Sequence, residues 1–305
     1  MTLTQLEYIL AVAKYRHFGK AAKACFITQP TLSMQVQKLE EELGIILFDR
    51  SRSPILTTTE GELVIEQARN VIREEKRLYD IVERSRDEIS GDFRLAVIPT
   101  LSTYILPLFL QSFTNKYPMV NLVIEERTTE EIIGLLAEDE IDAGVLATPL
   151  NENSLMEKVL FYEPFYLFVA PEHPLAKKKK VREADLDLQE IWLLNKGNCL
   201  RDQVLNICSE NQGRGKEHEE NIRFESGNLE TLKNMVLTSS GYTILPHLAV
   251  EQLASPRKKL VREFINPVPT REVSLVYARS CLRERVLTAL EEEIVSALPK
   301  ELRAL

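Results

Sequence analysis

The chain has 305 residues, 44% of them hydrophobic and 28% charged, with a net charge of −8; these are values of a globular protein too long for one ordinary core. No apolar run approaches the roughly 20 residues of a membrane span, and the opening MTLTQLEYIL has neither a basic stretch nor a small-residue cleavage site, so a cytoplasmic address and no membrane partner are expected. Four cysteines are too few for a disulfide scaffold, and His17, His173, His218 and His247 are scattered, so no metal and no cofactor is expected.

Charge is unevenly spread. Through residue 58 there are seven bases (Lys14, Arg16, Lys20, Lys23, Lys38, Arg50, Arg52) and five acids (Glu7, Glu40, Glu41, Glu42, Asp49), so a mildly basic head precedes an acidic body. Such a head can bind phosphate locally. Leu3, Leu6, Leu10 and Ala13 recur at helical spacing and predict a first helix with one face inward. Phe18, Ala21, Ala22 and Cys25 form a shorter stripe, in which Cys25 is read as packing. In FITQPTLSMQVQKLEEELG, Thr28 is the expected N-cap and Pro30 falls in the first turn. Leu32, Val36, Leu39 and Leu43 make the inner stripe, and Gly44 ends the helix. The outward face offers Gln29, Pro30, Thr31, Ser33, Met34, Gln37 and Lys38 to base edges and phosphates. Two helices joined by a short turn fit a helix-turn-helix; a plain three-helix bundle is the alternative. The basic turn Arg50, Ser51, Arg52, Ser53, Pro54, between the apolar stretches 45–48 and 55–56, favours the first and predicts a β-wing whose arginines reach the DNA backbone or minor groove.

Thr59 and Glu62 have the spacing of a capping box. Beyond them Val64, Ala68, Val71, Glu75, Leu78 and Val82 step as a coiled-coil seam, which predicts a linker helix that pairs with a second copy of itself. DEISGD, residues 87–92, reads as a hinge. The stretch from Leu3 to Glu62 resembles the winged helix-turn-helix of LysR-type transcriptional regulators: ITQPTLSMQVQKLEEELGIILFDR matches that family's signature, and LTTTEG the entry to its linker helix. The likeness continues through EHPLA at 172–176 and SSGYTILP at 239–246. Met34 departs from the Arg or small polar residue that many relatives carry there.

The body alternates strand-like and helix-like segments: FRLAVIPT, STYILPLFLQSFTNKYP, VNLVIEERT, TEEIIGLLAEDE and IDAGVLAT. This predicts an α/β domain with a mostly parallel sheet. The pattern restarts with FYLFVA after residue 162, continues through IWLLN and GYTILP, and returns to the first part with EVSLVYA. The resemblance implies a two-lobed effector domain similar to periplasmic binding proteins. The expected divisions are a head at 1–58, a linker helix at 59–88, a hinge at 89–92 and a body at 93–305. Within the body, lobe 1 takes 93–161 and 266–305, and lobe 2 takes 162–265. Ligands in such folds sit at the carboxyl ends of strands, here lined by Thr100, Ser102, Thr128, Thr129 and Thr148. The run Lys177 to Lys180 is read as a solvated loop.

GNCLRDQVLNIC, residues 197–208, raises a separate question. Its two thiols are buried filler, metal ligands or redox chemistry. Two cysteines without nearby partners do not make a metal site. Leu200, Val204, Leu205 and Ile207 suit a short helix after Gly197. On such a helix the cysteines lie about 13 Å apart along the axis, whereas a disulfide needs Cα atoms within roughly 7 Å. Bonding therefore requires the segment to unwind. Lys196 and Arg201 are cations that would favour a thiolate at Cys199. The segment resembles the hydrogen-peroxide-sensing members of the LysR family, whose redox motif CLRDQ plus Cys208 carries. The resemblance implies Cys199 as sensing thiol and Cys208 as resolving thiol, with Thr100, Thr129, Arg201, Asp202 and His218 around the peroxide or thiolate. Asn198 stands where His is expected from that likeness, and Cys281 is read as structural. A homo-oligomer follows, dimeric through the linker helix and by resemblance a tetramer. It would bind promoter DNA, switch antioxidant genes with RNA polymerase, and be reset by a reductant such as glutaredoxin or thioredoxin. A regulator triggered by a small metabolite between the lobes is the nearest alternative, and a thiol peroxidase the enzymatic one. No Gly-rich phosphate loop, metalloprotease motif or nucleophile elbow is present, and no enzyme is expected.

Overall fold

The computed structural model describes residues 1–84, 89–208, 228–279, 281 and 283–303. The chain divides into two compact units, Met1–Asp87 and Glu88–Leu305. In the first, α1 (Leu3–Tyr15), α2 (Phe18–Ala24) and α3 (Gln29–Leu43) are followed by a hairpin of β1 (Phe48–Asp49) and β2 (Leu56–Thr57), then α4 (Thr59–Arg84). α1 packs on α2, α3 and α4, and buries Gln5, Leu6, Ile9 and Val12. Leu3 is exposed and Leu10 and Ala13 are only partly buried, so the buried stripe is rotated from the predicted one. Three neighbours centre it on Leu6, Ile9 and Val12 and leave Leu10 and Ala13 at its margin. In α3, Leu32, Val36 and Leu39 are fully buried, Thr28 caps the start through the Thr31 N–H, and Gly44 closes the end at φ 70. Leu43 is exposed, in the last turn.

The cap of α4 is Thr58, one residue before the predicted Thr59. Its hydroxyl accepts the Gly61 N–H at 3.0 Å and donates to Ile46 O at 2.7 Å, which ties the helix start to the chain entering the wing. Gly61 occupies the position where a capping-box glutamate would stand, so the Thr59–Glu62 box is not formed. A Cβ on Gly61 would lie 2.4 Å from Leu47 O. We expect Gly61→Ala to destabilise the first unit by about 1–3 kcal/mol, as overpacking does, read as faster amide exchange in α1 and α4 of the full chain. The predicted seam on α4 is divided. Ala68 and its neighbour Ile65 are buried in the unit's own core, with Val64, Val71 and Ile72 packed against it. Leu63, Leu78 and Ile81 are the exposed apolar residues described on this helix, and the side chain of Val82 lies outside the described residues.

The second unit contains β3 (Gly91–Val97), α5 (Pro99–Lys116), β4 (Val120–Glu126), α6 (Thr129–Ala137) and β5 (Ala143–Thr148). Then follow β6 (Leu155–Val169), β7 (Lys180–Val181), α7 (Cys199–Ile207), α8 (Leu229–Thr238), β8 (Tyr242–Pro246), α9 (His247–Glu251), α10 (Ser255–Lys258), β9 (Val261–Phe264), β10 (Thr270–Ala278) and α11 (Glu284–Ala297). The sheet order is β4-β3-β5-β10-β6-β9-β7, with β8 also paired to β6. β3 runs parallel to β4 and β5, while β10 is antiparallel to both β5 and β6.

β6 passes through both halves of this sheet: residues up to Pro164 pair with β10, and Phe165 to Val169 pair with β8. The predicted restart after residue 162 is therefore the continuation of a strand begun at Leu155. IWLLN forms no strand. Ile191 makes an isolated bridge to Tyr242, because the Tyr242 N–H and C=O are taken by Glu190 O and the Trp192 N–H in a single rung. Gly91 and Asp92, predicted as hinge, begin β3, and residues 85–88 lie outside the described residues. The lysine run is exposed to solvent, as expected, although Lys180 falls within β7; Lys178 makes a surface pair with Asp185 and Lys180 with Glu263, each at 2.8 Å.

Candidate functional site

Gly197, at φ 88, turns the chain into α7, which begins at Cys199 and has Asn198 as its N-cap residue. Leu200, Val204 and Ile207 are buried and hold the helix on the core. Arg201 donates from Nη1 to Leu194 O at 2.7 Å, fixing the first turn to the preceding segment, while Asp202 is exposed. The helix runs unbroken to Cys208, whose N–H bonds to Val204 O at 3.1 Å. Both thiols are free. Cys199 is partly exposed at the helix start, whereas Cys208 is buried and burial pushes its thiol up to about 11, with Glu183 adding to the shift. Nine residues of helix hold the sulfurs' Cα atoms about 13 Å apart, beyond the roughly 7 Å reach of a disulfide. Bonding them requires α7 to unwind and Cys208 to leave its buried position.

Thr100 and Thr129 lie just past the carboxyl ends of β3 and β4, which are parallel neighbours, so both stand on one rim of the sheet at the starts of α5 and α6. Thr100 is buried. Its hydroxyl accepts from Arg271 Nη1 at 3.3 Å, which leaves its O–H proton free to donate elsewhere. The Thr129 hydroxyl oxygen is buried without a hydrogen-bond partner among the described residues, as is Oε1 of Gln203 in α7. Buried orphans of this kind are satisfied by a small polar molecule. No hydrogen bond among the described residues joins Cys199 to Thr100, Thr129 or Arg201, and His218 lies outside the described residues. The other rim hydroxyls are engaged within the fold: Ser102 with Glu126, Thr128 with the Glu131 N–H as the α6 cap, and Thr148 with Glu272 and Ser274.

Two residues the sequence reading missed stand behind Thr100. Arg271 on β10 pairs with Glu163 on β6 at 2.7 Å, with both side chains fully buried. The free Glu163 oxygen accepts the Leu248 N–H of α9 at 2.8 Å. Arg271 and Glu163 are direct cross-strand partners, at the place where β6 leaves β10 for β8. The partners are 108 positions apart, and no local pattern marks the pair.

On the first unit, Gln29, Pro30, Thr31, Met34, Gln37 and Lys38 are exposed on α3 as predicted for a reading face. Ser33 is partly buried and accepts from Arg50 at 3.3 Å. Arg50 was expected to reach DNA. It is 38% exposed, pairs with Glu40 at 2.7 Å and lies over the Phe18 ring, while the other Glu40 oxygen accepts the Leu47 and Phe48 N–H groups. It braces the wing against α3. Arg52, 66% exposed and paired with Asp49, is the more outward of the two wing arginines.

No helix among the described residues is long and apolar enough to cross a membrane, and none of their acidic, His and Cys side chains cluster as a metal site. Residues 3–62 match the bacterial regulatory helix-turn-helix protein, lysR family, and residues 86–299 match the LysR substrate binding domain. The hydrogen peroxide-inducible genes activator of Haemophilus influenzae is 35% identical, over 98% of this chain and 99% of that one. A full-length OxyR variant from Pseudomonas aeruginosa superposes with a TM-score of 0.77 at 33% identity, covering 96% of this chain and 97% of that one. A hydrogen-peroxide-bound OxyR variant from Corynebacterium glutamicum superposes with a TM-score of 0.63 at 25% identity, over 97% and 92%. With a matching head, a matching body and whole-length relatives of one kind, the chain belongs to the LysR family and, within it, is similar to the OxyR hydrogen peroxide-inducible activators.

Proposed function

We propose that this chain is a DNA-binding transcriptional regulator that senses hydrogen peroxide by reversible formation of a Cys199–Cys208 disulfide. The observation that carries this is α7: two thiols terminate one short helix, so the reduced fold and the disulfide exclude each other. The Cys199 thiolate attacks one peroxide oxygen, the O–O bond breaks, and the departing hydroxide takes up a proton as water. Cys208 then attacks the sulfenic sulfur, a second water leaves, and the disulfide forms. The order follows from access, because Cys208 is buried and its thiol is held in the protonated form by burial. Thr100, Thr129, Arg201, Asp202 and His218 are assigned to the polar setting of the sensing thiol by resemblance.

The body works as two lobes in the manner of periplasmic binding proteins, joined through β6 and β10. The head is a winged helix-turn-helix. It reads promoter DNA through α3 and the wing arginines Arg50 and Arg52, and α4 joins two copies into a dimer that assembles to a tetramer. RNA polymerase, a thiol reductant such as glutaredoxin or thioredoxin, and peroxide are its other partners. The chemistry is stoichiometric rather than catalytic, and the place of work is the cytoplasm, where promoter DNA is.

The test is a footprint of one duplex, selected from a random-sequence pool, with reduced and oxidised protein. The footprints should differ and interconvert on adding dithiothreitol. Identical footprints with the disulfide formed would refute the switch. A footprint that instead responds only to an added metabolite would support the competing trigger.

A further inference from the structure

Among the described residues, Phe26 is the most exposed large apolar side chain, at 95%. It also has φ 56, in the left-handed region. The reason lies in how α2 stops. The Phe26 N–H bonds to Lys23 O at 3.2 Å and the Ile27 N–H to Ala22 O at 3.0 Å. These nested bonds form a Schellman cap, whose left-handed position is ordinarily glycine. A phenylalanine there strains the backbone, and its ring packs on almost nothing in return. Strain without packing marks a residue kept for something outside the folded chain.

Its position says what that is. Phe26 stands two residues before Thr28, the N-cap of α3, at the end of the helix that enters a DNA groove in this motif. Further along the same helix Met34 is 60% exposed, within a face otherwise made of Gln29, Thr31, Gln37 and Lys38. Lys20 and Lys23 on α2 are exposed and available to phosphate. Two large apolar side chains therefore interrupt a polar, basic reading surface. The apolar feature that a base pair offers in the major groove is the thymine 5-methyl group.

We propose that Phe26 and Met34 read thymine methyl groups in the operator, and so set its sequence preference alongside the polar residues of α3. This rests on the DNA-binding reading above. The experiment uses a duplex selected from a random-sequence pool by the reduced full-length protein. Each thymine is replaced in turn by deoxyuridine, which removes the methyl and leaves base pairing unchanged. In each half-site, uracil at two positions should weaken binding about fourfold, the worth of one buried methyl. Met34→Ala should abolish the sensitivity at one of these positions and Phe26→Gly at the other. Phe26→Gly should also raise the thermal midpoint while it weakens binding, the opposite of a damaged fold. Uracil tolerated at every thymine, or both variants binding as tightly as the parent, would overturn the proposal. If the parent selects no duplex at all, the DNA-binding reading itself falls and this inference with it.

Discussion

Replacing Cys199 by serine is expected to abolish the transcriptional response to peroxide while DNA binding by the reduced protein stays within about twofold of the parent, the usual range for a small substitution away from the reading head. A serine hydroxyl at neutral pH does not attack peroxide, so no sulfenic acid forms and α7 stays intact. Cys208→Ser separates the two steps. It should consume one equivalent of peroxide and stop with a sulfenic acid on Cys199, trapped as a dimedone adduct, without switching the promoter. In the parent, oxidation should remove amide-exchange protection across 199–208, because the backbone bonds that keep the sulfurs about 13 Å apart must open. A disulfide that forms with this protection unchanged would show that the helix is not what carries the signal.

The second large effect lies at the buried ion pair. Glu163→Gln should lower unfolding stability by about 3–5 kcal/mol, because it leaves the Arg271 guanidinium buried and uncompensated. That is a large share of the roughly 5–15 kcal/mol by which a domain is stable. The loss reaches across the unit, since Arg271 also holds Thr100 at the start of α5 and Glu163 also holds the start of α9. The double variant Glu163→Leu with Arg271→Met should recover most of the loss, since replacing a whole buried pair by apolar groups is near neutral. Urea unfolding midpoints measure both. A double variant as unstable as the single one would place the cost in lost packing rather than in unpaired charge.

What the sequence showed and what it hid divide by distance along the chain. α3 was legible because its stripe, its threonine cap, its early proline and its terminal glycine all lie within seventeen residues and agree. α7 was legible for the same reason. Local ambiguity produced the small errors. Thr58 and Thr59 are equally good caps by type, and only the carbonyl of Ile46, brought in by the wing, selects Thr58. IWLLN is apolar enough for a strand, but Ile191 and Leu194 form only isolated bridges, that of Ile191 with Tyr242. The Arg50–Glu40 pair was not legible because Glu40 faces Arg50 only after α3 and the hairpin have packed. The Arg271–Glu163 pair was missed outright, since its logic exists only where two distant strands cross.

β10 lies in the middle of the sheet, between β5 and β6, yet it is the last strand of the chain. During synthesis, β3, β4 and β5 leave the ribosome with one flank of β5 open, and it stays open until residues 270–278 emerge. An unpaired apolar edge is the usual seed of aggregation, and late non-local pairing is slow to form. A premature stop before β10 would therefore yield an insoluble fragment, not a shortened sensor.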